Sequence, residues 1–124
     1  MNARMTTPLP EIAGTYIRAT NDDDAAAFIA LFADDAVVND NGREFRGLAV
    51  IKAWSDREIF DARVTLEVLD VADRDGETIV RTKVDGNFDR TGLPDPVIIN
   101  HFITVEGDKI VGLTCRLAGA KPRT

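Results

Sequence analysis

Hydrophobic positions recur with a helical spacing of three to four residues in the first half of this chain and with a strand spacing of two in the second. Ile12, Ala13, Tyr16 and Ile17 make one apolar stripe of a helix expected over residues 11–20. Pro10 stands at its start, where a missing N–H costs nothing. Asn21-Asp22-Asp23-Asp24 interrupts that helix and offers carboxylates to cap the next one, expected to run to about Phe32. Its Ala25, Phe28, Ile29 and Phe32 follow i, i+3, i+4, i+7 and predict one buried face. A short strand over 36–40 leads into an Asn41-Gly42 turn signal, with residues 44–46 as the returning strand. Gly47 precedes a third helix, expected over 48–60, with Val50, Ile51 and Trp54 on its inner side.

Four longer strands are predicted after it, over 63–72, 77–88, 97–106 and 109–117, joined by turns at 73–76 and Gly107-Asp108 and by a longer loop over 89–96. Val64, Leu66 and Val68 share one face of the first, and Val80, Thr82, Val84, Gly86 and Phe88 one face of the second. Val111, Leu113, Cys115 and Leu117 share one face of the last. Helices first and strands afterwards is the order of an α+β fold. The expected architecture is a cone of three N-terminal helices packed on a strongly curved, mostly antiparallel sheet around one apolar pocket. A single domain is expected over 11–118, between a loose leader (1–10) and a frayed tail (119–124). Ile79, Val97, Ile99, Ile103 and Val105 are assigned to the outer sheet face. So much apolar surface predicts a homodimer through that face.

Composition narrows the function. The chain has 124 residues and a net charge of -6, with no cluster of Lys and Arg, which argues against a nucleic-acid partner and against an anionic membrane. No apolar run approaches the ~20 residues of a membrane span. One His and one Cys, with neither CxxC nor HExxH, predict no metal site, and no organic cofactor is expected. A lone Cys115 in an apolar strand predicts a buried, inert thiol and agrees with a reducing, cytoplasmic location. For the expected apolar pocket the partner is an apolar small molecule.

The stretch from Tyr16 to Asp40, YIRATNDDDAAAFIALFADDAVVND, resembles the start of the nuclear transport factor 2-like superfamily. Residues 30–37 (ALFADDAV) are its most typical piece, extended by Arg46-Gly47 and Asn100-His101-Phe102. The resemblance covers roughly residues 11 to 117 and implies the cone-shaped α+β fold, a pocket between helices and sheet, and a dimer. Within the superfamily the chain is similar to the ketosteroid isomerases and the SnoaL-like polyketide cyclases. That similarity implies a Tyr on the first helix (Tyr16), a general base at the end of the first strand (Asp40), and a second acid before His-Phe, here replaced by Asn100.

On this reading Asp40 moves a proton α to a carbonyl, and Tyr16 and Asn100 donate to the oxyanion. Trp54, Phe32, Phe88, Phe102 and Leu113 form the substrate-binding walls. Each role has a plainer counterpart. Asp40 can cap its own turn, Tyr16 can be a core phenol, and the aromatics can be ordinary core. Strand alternation puts Asn100 and His101 on opposite faces. With Asn100 placed inside, His101 and Arg116 are expected outside. The alternatives are a non-catalytic binding protein for an apolar small molecule and a dimeric interaction module.

Overall fold

The computed structural model describes residues 9–118. The expected leader and tail lie almost wholly outside them. Helix α1 spans Glu11–Asn21, with Pro10 at its N-cap, and α2 spans Ala25–Ile29, with the Asp24 side chain accepting from the Ala27 N–H at 3.1 Å. Strands β1 (Phe32–Asp40) and β2 (Arg43–Arg46) follow, then α3 (Leu48–Ser55) and a π-helical turn (Asp56–Phe60). Strands β3 (Thr65–Arg74), β4 (Glu77–Asp85), β5 (Val97–Glu106) and β6 (Lys109–Leu117) complete a six-stranded sheet in the order β2-β1-β6-β5-β4-β3. The sheet is mixed: β1 runs parallel to β6 and every other pair is antiparallel. It curls around the helices without closing. No helix among the described residues is long and apolar enough to cross a membrane.

Element ends shift from the periodicity, and three departures have a tertiary reason. The second helix stops at Ile29 rather than Phe32. The Leu31 carbonyl accepts instead from the Ile110 N–H at 2.8 Å, and Phe32 pairs with Ile110, so β6 recruits these residues into β1. The third helix keeps its predicted length but widens. Asp61 N–H bonds Asp56 O and Val64 N–H bonds Ile59 O, both at 2.9 Å and both five residues apart. β4 ends at Asp85 rather than Phe88. Gly86, at φ 151°, passes so close to the Ala62–Val64 backbone that a Cβ there would lie 3.0 Å from the Ala62 carbonyl.

The largest correction concerns β5. Its register pairs Val97 with Val84, Ile99 with Thr82, and His101 with both Val80 and Cys115. Val97, Ile99, His101 and Ile103 therefore face the helices, whereas Asn100 and Phe102 face outward, opposite Arg116 and Thr114. The cause is a register shift between Thr104/Val105, where Val105 pairs with Ile110 but Thr104 with Gly112, leaving Val111 unpaired. An unbulged hairpin would have set Asn100 opposite Cys115. The predicted outer apolar face thus loses Val97, Ile99 and Ile103 to the interior. Arg116 does lie outside, with its guanidinium 5.8 Å from the Phe102 ring.

Phe28 is the hub of the core, fully buried, with Tyr16, Phe32 and Phe60 rings 5.3–5.4 Å from its own. Phe28→Ala should cost about 3–5 kcal/mol of unfolding free energy in urea titrations. Val50→Ala, on the exposed side of α3, should stay within about 0.5 kcal/mol.

Candidate functional site

A cavity of about 450 Å³ lies between α1, α3, the π-helical turn and the concave sheet face. Val64, Leu66, Val84, Phe88, Leu93, Val97, Ile99 and Leu117 give it apolar walls. Its polar groups fall in two sets, one neutral and deep, the other charged and nearer the mouth.

The deep set is a chain of three side chains from three elements. The Tyr16 hydroxyl lies 3.0 Å from His101 Nδ1, and His101 Nε2 lies 3.0 Å from the Thr82 hydroxyl. Thr82 in turn donates to the Ile99 carbonyl at 3.1 Å. Tyr16 is 2% exposed, His101 4% and Thr82 0%. Cys115 Sγ sits 3.8 Å from the same Nδ1. Burial pushes His101 down to about 4 and the Cys115 thiol up to about 12, the nearby Asp40 charge adding to the latter. Burial also raises Tyr16 well above the ordinary phenol value, with Cys115 and then the Asp40 charge adding to it. All three groups are neutral at pH 7, so Cys115 and His101 do not form a thiolate–imidazolium pair.

The second set is built around Asp40, the last residue of β1. Trp54 Nε1–H donates to Asp40 Oδ2 at 3.1 Å and Arg43 donates to the same oxygen at 2.6 Å. Oδ1 has only a 3.5 Å contact with the Asn41 amide. Arg43 also donates twice to Glu58, at 2.9 and 2.7 Å, which holds Glu58 below the ordinary carboxylate range and raises Arg43 further. The π-helical turn brings Glu58 and Ile59 to the cavity, and the Trp54 ring stacks on Phe45 at 5.7 Å. The hairpin carrying Asp40 is tied to β6 at Asn41, whose N–H donates to Cys115 O at 2.9 Å and whose side chain accepts from Leu117 N–H at 2.8 Å.

Of the residues singled out in the sequence, Tyr16, Asp40, Trp54 and Phe88 line this cavity. Asn100 does not, because its side chain points to the other face of β5. Phe102 shares that face, while Phe32 and Leu113 are buried in the core away from the cavity. His101, expected outside, is the inward member of the pair. Sequence reasoning also missed Thr82, Arg43 and Glu58 as site residues. The alternation of Val97, Ile99 and Ile103 was the available signal for His101, being more apolar than that of Asn100 and Thr104. For Arg43 and Glu58, which meet only through the turn and the widened helix, no local signal exists. Among the described residues no three His, Cys, Asp or Glu side chains gather as a metal site requires.

The SnoaL-like domain model matches residues 13–113. Among solved structures, a candidate polyketide cyclase from Sinorhizobium meliloti is 30% identical, with 87% of this chain and 95% of that one covered at a TM-score of 0.77. A protein of ketosteroid isomerase-like fold from Catenulispora acidiphila, in complex with trimethylamine, is 20% identical over 88% of this chain and 86% of its own, at a TM-score of 0.73. A computationally designed 17-OHP binder is 21% identical over 84% of this chain and 86% of its own, at a TM-score of 0.69. No curated protein matches the chain.

The burial of His101 has a consequence for stability. The imidazole titrates near 4 in the folded protein and near 6.5 when exposed, so between those values the unfolded chain binds the extra proton. Stability therefore rises with pH across this window and falls as pH drops from 6.5 toward 4. The loss from this one group should total about 3 kcal/mol. Urea unfolding between pH 4 and 7 measures it, and NMR of the single His checks that the ring stays neutral at pH 5.

Proposed function

The chain belongs to the SnoaL-like domain family, and on that premise we propose that its cavity holds an apolar small molecule bearing a carbonyl, from whose α-carbon Asp40 removes a proton. The observation that carries this reading is that Asp40 and Tyr16 border one apolar cavity. Trp54 and Arg43 both occupy Oδ2 of Asp40, which leaves Oδ1 as the oxygen that takes the proton. The carbonyl oxygen gains the electron pair as an enolate and is met by the Tyr16 hydroxyl. Asp40 then returns the proton to another carbon of the conjugated system, so no atom is gained or lost. Asn100 has no part in this scheme, since it does not reach the cavity. Small molecules bound by other proteins of this fold, trimethylamine in one and 17-OHP in a designed binder, support a small-molecule reading.

One observation favours a second reading, a binding protein without chemistry. In the structure Tyr16 and Asp40 both have intramolecular partners, His101 for the one and Trp54 with Arg43 for the other. A ligand then fills the apolar volume without any proton being moved. Pairing of two copies through the outer sheet face, a third reading, rests on Ile79, Ile98 and Phe102 among Arg81, Lys83 and Arg116. Sedimentation at micromolar concentration reads it directly, and a monomer removes it.

Incubation with a β,γ-unsaturated ketosteroid should give the conjugated ketone, followed by its ultraviolet absorbance. Asp40→Asn should lower the rate about 10²–10⁴-fold. A rate untouched by that substitution rules out Asp40 as the base. Ligand-induced change in the fluorescence of Trp54, the single Trp, with no product formed would establish binding without catalysis.

A further inference from the structure

The deep polar chain contains a hydrogen-bond choice that decides what Tyr16 offers to a ligand. Each of the three side chains brings one hydrogen to the chain: a hydroxyl on Tyr16, one N–H on neutral His101, and a hydroxyl on Thr82. In one arrangement Thr82 donates to the Ile99 carbonyl, His101 donates from Nε2 to Thr82, and Tyr16 donates to the bare Nδ1. Three bonds are made, and the Tyr16 oxygen shows the cavity only lone pairs. In the other, Thr82 donates to Nε2, His101 donates from Nδ1 to the Tyr16 oxygen, and the Tyr16 O–H is released into the cavity. That arrangement makes three bonds only when something in the cavity accepts from Tyr16. No heavy atom has to move between the two.

The geometry of the structure favours the first arrangement. Nδ1 is approached by two hydrogen-bearing groups, the Tyr16 hydroxyl at 3.0 Å and the Cys115 thiol at 3.8 Å. The Thr82 hydroxyl beside Nε2 has the Ile99 carbonyl as its own acceptor. A ligand carbonyl supplies the missing acceptor and tips the balance to the second arrangement, in which the bond from His101 polarises Tyr16 and makes it a stronger donor. A ligand hydroxyl is served by the first.

We propose that His101 is a positioning residue whose neutral tautomer sets the polarity of Tyr16. The cavity is thereby matched to an apolar ligand whose buried oxygen is a carbonyl in one form and an enol or alcohol hydroxyl in another. This deepens the reading given above and rests on it for the identity of the cavity as a ligand site. Exchange between the tautomers gives up one proton at Nε2 and gains one at Nδ1, so the ring is neutral before and after it.

Because the chain has one His, ¹⁵N-histidine labelling of the 124-residue chain reports on this ring alone, and two-bond ¹⁵N–¹H correlations show which nitrogen carries the hydrogen. The hydrogen is expected on Nε2 in the free protein, on Nδ1 with saturating 2-adamantanone, and on Nε2 with adamantane, which has the shape without the oxygen. Thr82→Val keeps the shape of the side chain but leaves Nε2 without a partner. It should put the hydrogen on Nδ1 with no ligand present and tighten 2-adamantanone binding several-fold, whereas Thr82→Ser should behave as the parent. Hydrogen on Nδ1 in the free parent protein overturns the proposal, as does hydrogen kept on Nε2 when Trp54 fluorescence shows the ketone bound. Should the ketone fail to bind at all, the small-molecule carbonyl reading fails instead, and the Thr82→Val tautomer still decides the relay: Nε2–H retained there overturns it.

Discussion

The unpaired Val111 in β6 controls the inside of this protein. A strand shows opposite faces at alternate residues, so one extra residue on one side of a hairpin exchanges the faces of everything beyond it. Before the bulge Val105 meets Ile110, and after it Ile103 meets Leu113 and His101 meets Cys115. Val97 and Ile103 are thereby buried, Ile99 turns to the cavity, and His101 comes within hydrogen-bond distance of Tyr16 on α1. Without it, Asn100 would stand at the base of the cavity. Three large aliphatic side chains would face solvent, at roughly 1.5–3 kcal/mol each for burial forgone. Apolar burial and register support one another, which is why the bulge is tolerated.

Placing His101 inside creates a polar debt in an apolar setting. An unpartnered buried polar group costs about 1–3 kcal/mol, and here a phenol, an imidazole and a hydroxyl are buried together. Each is partnered by the next, and the last returns to the backbone at Ile99. Since the members come from α1, β5 and β4, satisfying them requires that helix and sheet dock at one depth and one rotation. The network therefore specifies how α1 sits on the sheet as well as what faces a ligand. It also explains why Tyr16 occupies a face otherwise made of Ala13, Ile17, Ala19 and Thr20.

How far the sequence could be read follows from these constraints. The helices, the hairpin turns at Asn41-Gly42 and Gly107-Asp108, and the α+β order rest on local signals, and they carry over to the structure with changes at their ends. Tyr16 and Asp40 as neighbours of one cavity follow from the stripe of the first helix and the end of the first strand, together with the family resemblance. The face of β5 was not legible from the Asn-His-Phe motif, because alternation says only that Asn100 and His101 oppose each other. Which one points inward depends on a bulge that Val111 does not announce. The apolar weight of Val97, Ile99 and Ile103 is the better guide, because it belongs to the inner face and not to an outer interface. Helix α2 illustrates the other limit: Phe32 fits its helical stripe, yet β6 offers Ile110 as a strand partner, and pairing outweighs propensity.

The separation between charged and neutral groups has its own logic. Arg43 is 54% exposed, so its pairs with Asp40 and Glu58 contribute little stability, on the order of 0–1 kcal/mol. Their value is geometric: a guanidinium held on Glu58 by two bonds keeps Asp40 Oδ2 occupied and its orientation set, with Trp54 as the second constraint. A carboxylate that is to give and take a proton has to remain near water, because full burial of its charge without such partners is prohibitive. The deep end obeys the opposite rule. Charge that develops on a ligand oxygen there meets neutral dipoles, whose effect is stronger in a low-dielectric cavity than at the surface. A cationic His101 at that depth would have fixed both ring nitrogens as donors and removed the tautomer choice. By keeping the imidazole neutral, burial leaves Tyr16 free to answer either polarity of ligand oxygen, so the apolar walls help define the chemistry the cavity can support.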